Sequence, residues 1–207
     1  MKVKICGIRD IATALSAIES GADALGFVFA QSKRRIEPEE AGKIIRQLPE
    51  DLLKVGVFVN ETKENIDKIV EITRINVIQL HGDETPEFSS AFSIPVIKAL
   101  SVGSAEDLSK LDEYSSEYFL LDSPKGKYRG GNGVSFDWSI LNEKHFLDKK
   151  IILAGGLNPD NVAEGIKTAN PYMVDVSSGV ETEGKKDLGK IERFIDKARS
   201  LEREEVK

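Results

Sequence analysis

The chain has 207 residues, enough to bury one large core, and its 29 lysines and arginines against 35 aspartates and glutamates give a net charge of −6. That acidic balance gives a nucleic-acid backbone no electrostatic reason to bind. A single cysteine excludes a disulfide framework, and with only two histidines, scattered along the chain, no ligand set for a metal is expected.

Short apolar, β-branched runs alternate with longer amphipathic stretches. Met1–Cys6 runs straight into a strand pattern without an apolar leader, and no apolar run reaches bilayer length, so a soluble, cytoplasmic chain without a membrane partner is expected. The first strand is predicted over Lys2–Cys6, followed by a helix over Ile11–Ser20 that Gly21-Ala22-Asp23 stops. Asp23–Phe29 is the second strand, Pro38–Leu48 the next helix and Lys54–Val59 the third strand. Thr62 caps a helix over Lys63–Thr73, and Asn76–Leu80 is the fourth strand. Helix Pro86–Phe92, strand Pro95–Leu100, helix Ala105–Glu113 and strand Tyr118–Asp122 follow. The last units are helix Asp137–Lys144, strand Lys150–Ala154, helix Pro159–Thr168 with Asn158 as its cap, strand Met173–Val176 and helix Asp187–Ala198. Eight βα units without a linker predict one domain over residues 1–207, an α/β fold of the closed (β/α)8 TIM-barrel type. An open doubly wound sheet would carry a glycine-rich first turn, whereas Cys6-Gly7-Ile8-Arg9-Asp10 holds one glycine.

Barrels of this kind carry their active sites at the C-terminal strand ends, so polar residues there are the candidates. Strand parity turns Lys2, Lys4 and Cys6 towards the axis, with Cys6 at the top. The same reasoning turns Gln79 and His81, Asp122, and Asp175 with Ser177 towards one mouth. Each has a plainer reading: Cys6 as an inert core thiol, Asp122 before Ser123-Pro124 as a turn former, His81 as a hydrogen-bonded strand end. Lys98 is open between a barrel-interior ion pair and another role, while Trp138 reads as packing and His145 as surface. Gly155-Gly156 after strand seven and Ser177-Ser178-Gly179 after strand eight let main-chain N–H groups approach an anion, which points to a phosphorylated small-molecule ligand. Gly179–Lys186 imitates a P-loop but lacks its final Ser or Thr and follows the last strand, so it is rejected.

Lys4-Ile5-Cys6-Gly7-Ile8, Gly21–Phe29, Gly56–Asn60, Gln79-Leu80-His81-Gly82, Leu120-Leu121-Asp122, Gly130–Gly133 with Phe136-Asp137-Trp138, Gly155–Pro159 and Asp175–Glu181 together closely resemble the phosphoribosylanthranilate isomerase family of tryptophan biosynthesis, in order and over nearly the whole chain. The resemblance implies an Amadori rearrangement of an aminoaldose to an aminoketose, with no cofactor and no metal. It implies Cys6 as general base, Asp122 as general acid and Arg34 as a substrate contact. Gly155, Gly156, Ser177, Ser178 and Gly179 match its phosphate loops, and Gln79, His81 and Asp175 line the mouth. A thiol base must ionise, so a nearby positive charge is expected, with Lys4 as one source. The short Ala30-Gln31 segment leaves the register between Arg34 and Arg35 open, and the glycine-rich segment 123–135 is a candidate lid. Two alternatives remain at this level. One is the similar aminoaldose isomerase of histidine biosynthesis, whose family carries an aspartate where Cys6 stands; the other is a non-catalytic binder of phosphorylated metabolites. A monomer and a homodimer are equally compatible with the sequence.

Overall fold

The computed structural model describes residues 1–123, 137–143 and 149–205. Eight parallel strands close into a barrel in chain order: β1 (Lys2–Cys6), β2 (Ala24–Val28), β3 (Leu53–Phe58), β4 (Val77–Leu80), β5 (Val96–Ser101), β6 (Tyr118–Asp122), β7 (Lys150–Leu153) and β8 (Met173–Val176). Closure joins β1 to β8 through Lys4 opposite Asp175 and Ile5 opposite Val176, so the barrel sheet has no edge. Around it lie α1 (Ile11–Glu19), α2 (Pro38–Ile45), α3 (Lys63–Thr73), α4 (Pro86–Ser89), α5 (Val162–Ala169) and α6 (Leu188–Glu205).

Parity divides the core in two. Val3, Ile5, Leu25, Phe27, Phe119 and Leu121 turn outward and pack with helix residues such as Ile66, Ile191 and Phe194 in the larger apolar cluster. Ala24, Val55, Val77, Ile97, Leu120, Ile152 and Met173 fill the barrel interior. Each fully buried aliphatic side chain contributes roughly 1.5–3 kcal/mol, so a slip of one residue in any strand would move its apolar set to the wrong layer.

Helix starts follow the capping chemistry. Asp10 accepts from Thr13 N at 2.8 Å ahead of α1, and Thr62 accepts from Asn65 N ahead of α3. Several helical segments differ from the sequence expectation, among them α2 and α4, which end at Ile45 and Ser89. Ala105–Glu113 and Trp138–Glu143 are 3-10 rather than α; their buried pairs Leu108/Leu111 and Trp138/Leu141 are three apart, a spacing that a three-residue turn aligns on one face. The helix expected from Pro159 begins at Val162 instead. Asn158 Oδ1 accepts from Asp160 N at 2.8 Å, forming a side-chain-closed turn that delays the helix by one turn. Finally, α6 runs past Ala198 to Glu205, because the tail consists of good helix formers and contains no breaker.

Trp138 is packing, as read from the sequence: it is buried and abuts Gly165 of α5. Lys98 does form a buried ion pair, with Glu84 at 2.6 Å, but on the outer side of β5. Its neighbours Ile97 and Ala99 take the interior positions, so the barrel-interior placement is corrected by parity. His145 and residues 124–136, including most of the candidate lid, lie outside the described residues. No helix among the described residues is long and apolar enough to cross a membrane.

Candidate active site

Cys6 ends β1 with its side chain over Gly26 of β2; a β-carbon on Gly26 would stand 2.7 Å from the sulfur. The residue is 7% exposed, and the charged groups of Lys4, Asp175 and Lys186 act on its thiol. Lys4 lies two residues below on the same face, Ser177 Oγ donates to the Cys6 carbonyl oxygen at 3.2 Å, and Lys186 Nζ donates to Ser177 O at 2.8 Å. Lys4 lends the thiol positive charge, as expected, through its charge and a hydrogen bond, and Asp175, whose Oδ1 lies 2.6 Å from Lys4 Nζ, offsets part of it. Burial dominates and pushes the Cys6 thiol up, opposed by Lys4 and Lys186 and reinforced by Asp175. Burial works most strongly against the charge of Lys4, but Asp175 and Cys6 together outweigh it and raise its pKa.

Asp122 ends β6 and is 5% exposed. Its Oδ1 accepts from Ser123 N at 2.8 Å, and its Oδ2 lies 3.4 Å from His81 Nε2. His81 follows the last residue of β4, and Gln79 Nε2 sits 3.0 Å from its Nδ1. Gly155 closes this corner from β7. Its φ of +78° suits glycine, and a β-carbon there would stand 2.8 Å from Asp122 Oδ1 and 2.5 Å from Ser123 N.

In the closed order, β7 and β8 lie between β6 and β1, so the two glycine loops separate the carboxyl from the thiol along the rim. Gly155 and Gly156 both have positive φ, +78° and +69°. Ser178–Val180 forms a single 3-10 turn after Ser177. Gly179 lies against the Leu157 carbonyl oxygen, with no room for a side chain, so the two loops stack main chain on main chain. Glycine loops packed this closely are of the kind that can present main-chain N–H groups to an anion.

Arg34 and Arg35 are separated by the geometry. Arg35 is half exposed and sits 3.4 Å from Glu37. Arg34 is turned in: its Cδ would lie 2.7 Å from a β-carbon on Gly7, and its guanidinium meets Glu181 in a two-pronged pair of 2.6 and 2.9 Å. Lys186 joins from the other side, 2.9 Å from Glu181. Glu181 and Lys186 were given no role by sequence reasoning, and Lys186 was discarded with the P-loop imitation. The segment is a tight hairpin of β9 (Glu181–Thr182) and β10 (Lys185–Lys186), turned at Gly184, and it folds Lys186 inward. The signal in sequence was Glu-Gly between two polar pairs, which reads as a hairpin turn. Among the described residues no group of three His, Cys, Asp or Glu side chains is placed to hold a metal ion.

The Arg34–Glu181–Lys186 cluster predicts an acid-sensitive contribution to stability. Burial works against the charge of Glu181, but Arg34 and Lys186 outweigh it and pull its pKa from 4.5 down to about 2. A depressed carboxyl contributes fully above its unfolded pKa and progressively less as pH falls towards the folded one. The melting-temperature gap between wild type and Glu181→Gln is expected to be widest at pH 5 and above and to narrow steadily through pH 4 and 3. A gap that does not change with pH would show the ion pairs to be energetically idle.

With this geometry in view, the comparisons with known proteins agree with one another. Residues 3–197 match the family model described as N-(5'-phosphoribosyl)anthranilate isomerase. The N-(5'-phosphoribosyl)anthranilate isomerase of Bacillus cereus strain B4264 is 56% identical over 200 residues, covering 96% of this chain and 98% of that protein. The crystal structure of phosphoribosyl anthranilate isomerase from Thermotoga maritima superposes with a TM-score of 0.90 at 44% identity, over 97% of this chain and 100% of that one. A solved phosphoribosyl anthranilate isomerase in complex with reduced 1-(o-carboxyphenylamino)-1-deoxyribulose 5-phosphate superposes with a TM-score of 0.87 at 42% identity, over the same shares of the two chains. The match runs through every strand that carries a site residue, and the chain belongs to the N-(5'-phosphoribosyl)anthranilate isomerase family.

Proposed function

We propose that this protein is an isomerase of tryptophan biosynthesis that converts N-(5-phosphoribosyl)anthranilate into 1-(2-carboxyphenylamino)-1-deoxyribulose 5-phosphate, with Asp122 as general acid and Cys6 as general base. The supporting observation is the pairing of a thiol at the end of β1 with a carboxyl at the end of β6, with two stacked glycine loops between them on the rim.

The chemistry follows from these groups. Asp122 gives its proton to the furanose ring oxygen as the C1–O bond breaks, and that bond's electron pair goes to the oxygen. The anthranilate nitrogen supplies its lone pair to C1 and forms a protonated Schiff base. The Cys6 thiolate then takes the hydrogen from C2, and the electrons of that C–H bond form an enolamine. Loss of the proton on the C2 hydroxyl and gain of one at C1 give the ketone. The cycle closes when a proton passes from Cys6 back to Asp122. The substrate nitrogen is its own electron sink, so the reaction asks no cofactor of the protein. Gly155, Gly156, Ser178 and Gly179 hold the phosphate through main-chain N–H groups, and Ser177 ties that loop to Cys6. The thiol at the end of β1 favours this reading over the histidine-pathway isomerase, whose family carries an aspartate there.

Freshly prepared N-(5-phosphoribosyl)anthranilate is expected to lose its fluorescence on addition of catalytic amounts of the protein, with the aminoketose as product. Binding without consumption at stoichiometric protein would overturn the proposal in favour of a metabolite-binding barrel. Arg34, packed over Gly7 after β1 and paired with Glu181 just beyond the Ser177–Gly179 loop, is the substrate contact in this reading, so Arg34→Met is expected to lower kcat/KM by on the order of tenfold or more, the worth of one charge-assisted contact. Arg35→Met, at a half-exposed residue, is expected to leave it within about twofold. The reverse order would move the substrate contact to Arg35.

A further inference from the structure

We propose that Gln79 is a positioning residue for the acid step: its amide fixes the tautomer of His81, so that the ring turns an Nε2–H onto Asp122. The proposal rests on Asp122 as the general acid and goes beyond it, because neither residue then exchanges a proton with substrate.

The argument starts from what an imidazole can do. A neutral ring has one N–H donor and one bare acceptor nitrogen, and what the second nitrogen meets decides which is which. His81 Nε2 lies 3.4 Å from Asp122 Oδ2; the carboxylate that Asp122 becomes on giving up its proton only accepts, so a neutral ring that stabilises it must carry its hydrogen on Nε2. Nδ1 is then bare and needs a donor. Gln79 Nε2 stands 3.0 Å away and supplies it. With the amide reversed, its carbonyl would hold the hydrogen on Nδ1 and leave two lone pairs facing each other across the Nε2–Asp122 contact.

A second observation points the same way. Gln79 is 1% exposed, and its Oε1 is buried with no hydrogen-bond partner among the described residues. Leaving a buried acceptor in that state is costly, because its desolvation is not offset. Its partners in register on the flanking strands are Val57 and Ile97, and an aliphatic side chain at position 79 would fit between them without that cost. An amide with one end orphaned and the other on a histidine ring is the pattern of a group retained for the ring it orients.

The consequence falls on the proton transfer. When Asp122 gives up its proton, its O–H bond breaks, the ring oxygen's O–H bond forms, and a carboxylate remains. Ser123 N already donates to Oδ1 at 2.8 Å, and His81 Nε2–H faces Oδ2. Both donors interact more strongly with the carboxylate than with the acid, so they favour the transition state in which charge develops there. The hydrogen on His81 stays on Nε2 throughout.

The sequence makes the test direct, since its two histidines are His81 and His145. In protein carrying His145→Ala and 15N-labelled histidine, NMR of the ring nitrogens reports one residue. Above the ring's titration, His81 is expected to show a protonated Nε2 and a bare Nδ1. Gln79→Met, close in volume, is expected to give a mixture of tautomers. Gln79→Glu, whose carboxylate accepts, is expected to move the hydrogen to Nδ1. Each is expected to lower kcat by ten- to a hundredfold, the scale of a misplaced catalytic group, with KM changed less than threefold. A hydrogen on Nδ1 in otherwise unaltered protein overturns the proposal without recourse to any variant at position 79. So does an unchanged tautomer in folded Gln79→Met, whatever its activity. The spectrum does not depend on turnover, so a failure of Asp122 as the acid would appear separately, as undiminished activity in Asp122→Asn.

Discussion

Cys6→Ala is expected to lower kcat/KM by on the order of a hundredfold or more while the barrel remains folded, because the change removes the base and little else. The sulfur rests over Gly26 at the top of β1, so its loss costs on the order of 1 kcal/mol of packing. The pH profile carries the finer expectation. The proposed base acts as the thiolate, whose fraction rises with pH through the thiol's pKa. Burial places that pKa above its ordinary 9.0, with Lys4 and Lys186 opposing and Asp175 reinforcing. Alkylation of Cys6 by iodoacetamide, which reads the thiolate alone, is therefore expected to keep rising well past neutrality, whereas kcat/KM, which also needs the proton on Asp122, is expected not to follow that rise. The groups facing the thiol are Lys4 on its own strand, Asp175 on β8 and Lys186 on the hairpin, with Glu181 and Arg34 behind Lys186. Lys186→Met removes one of the two opposing charges and should displace the alkylation curve to higher pH. Normal turnover in Cys6→Ala would assign the base elsewhere.

What the sequence made legible, and what it hid, divide along physical lines. The strands could be read because β-branched runs of four to six residues alternate with amphipathic stretches, and parity followed from the pleat alone. That is how Cys6, Gln79, His81, Asp122 and Asp175 came out on the inner face, where each is buried or nearly so. Pairing over long sequence distances leaves no mark in a periodicity. Nothing near Arg34 announces Glu181, 147 residues later, and nothing near Lys4 announces that Asp175, 171 residues later, pairs with it. Short helices were misread for a different reason: leucines three apart, as in Leu108 and Leu111, satisfy an α-turn and a 3-10 turn equally. The Asn158-Pro159 pair is a good cap on paper, but its side chain closes a tighter turn first. Lys186 was hidden by its motif, since a charge run between glycines resembles a phosphate loop until the hairpin turns it inward.

Asp122→Asn is expected to be as damaging as loss of the thiol and to leave a different kinetic signature. Asparagine keeps the shape, and its carbonyl can still accept from Ser123 N, so Gly155 and the corner it closes need not move. What it loses is an acidic proton at the distance the ring oxygen requires, and kcat/KM is expected to fall by on the order of a hundredfold or more. The two losses then act on successive bonds: C1–O opening for Asp122, C2–H cleavage for Cys6. Substrate deuterated at C2 separates them. With ring opening slowed in Asp122→Asn, the later C–H cleavage no longer limits the rate, and the isotope effect on kcat/KM should shrink towards one. In Cys6→Ser, where a poor base makes C–H cleavage slower still, the isotope effect should persist or grow. An undiminished isotope effect in a slow Asp122→Asn enzyme would place the carboxyl in the C2 step, and the assignment of acid and base to opposite ends of the β6–β7–β8–β1 arc would have to be reversed.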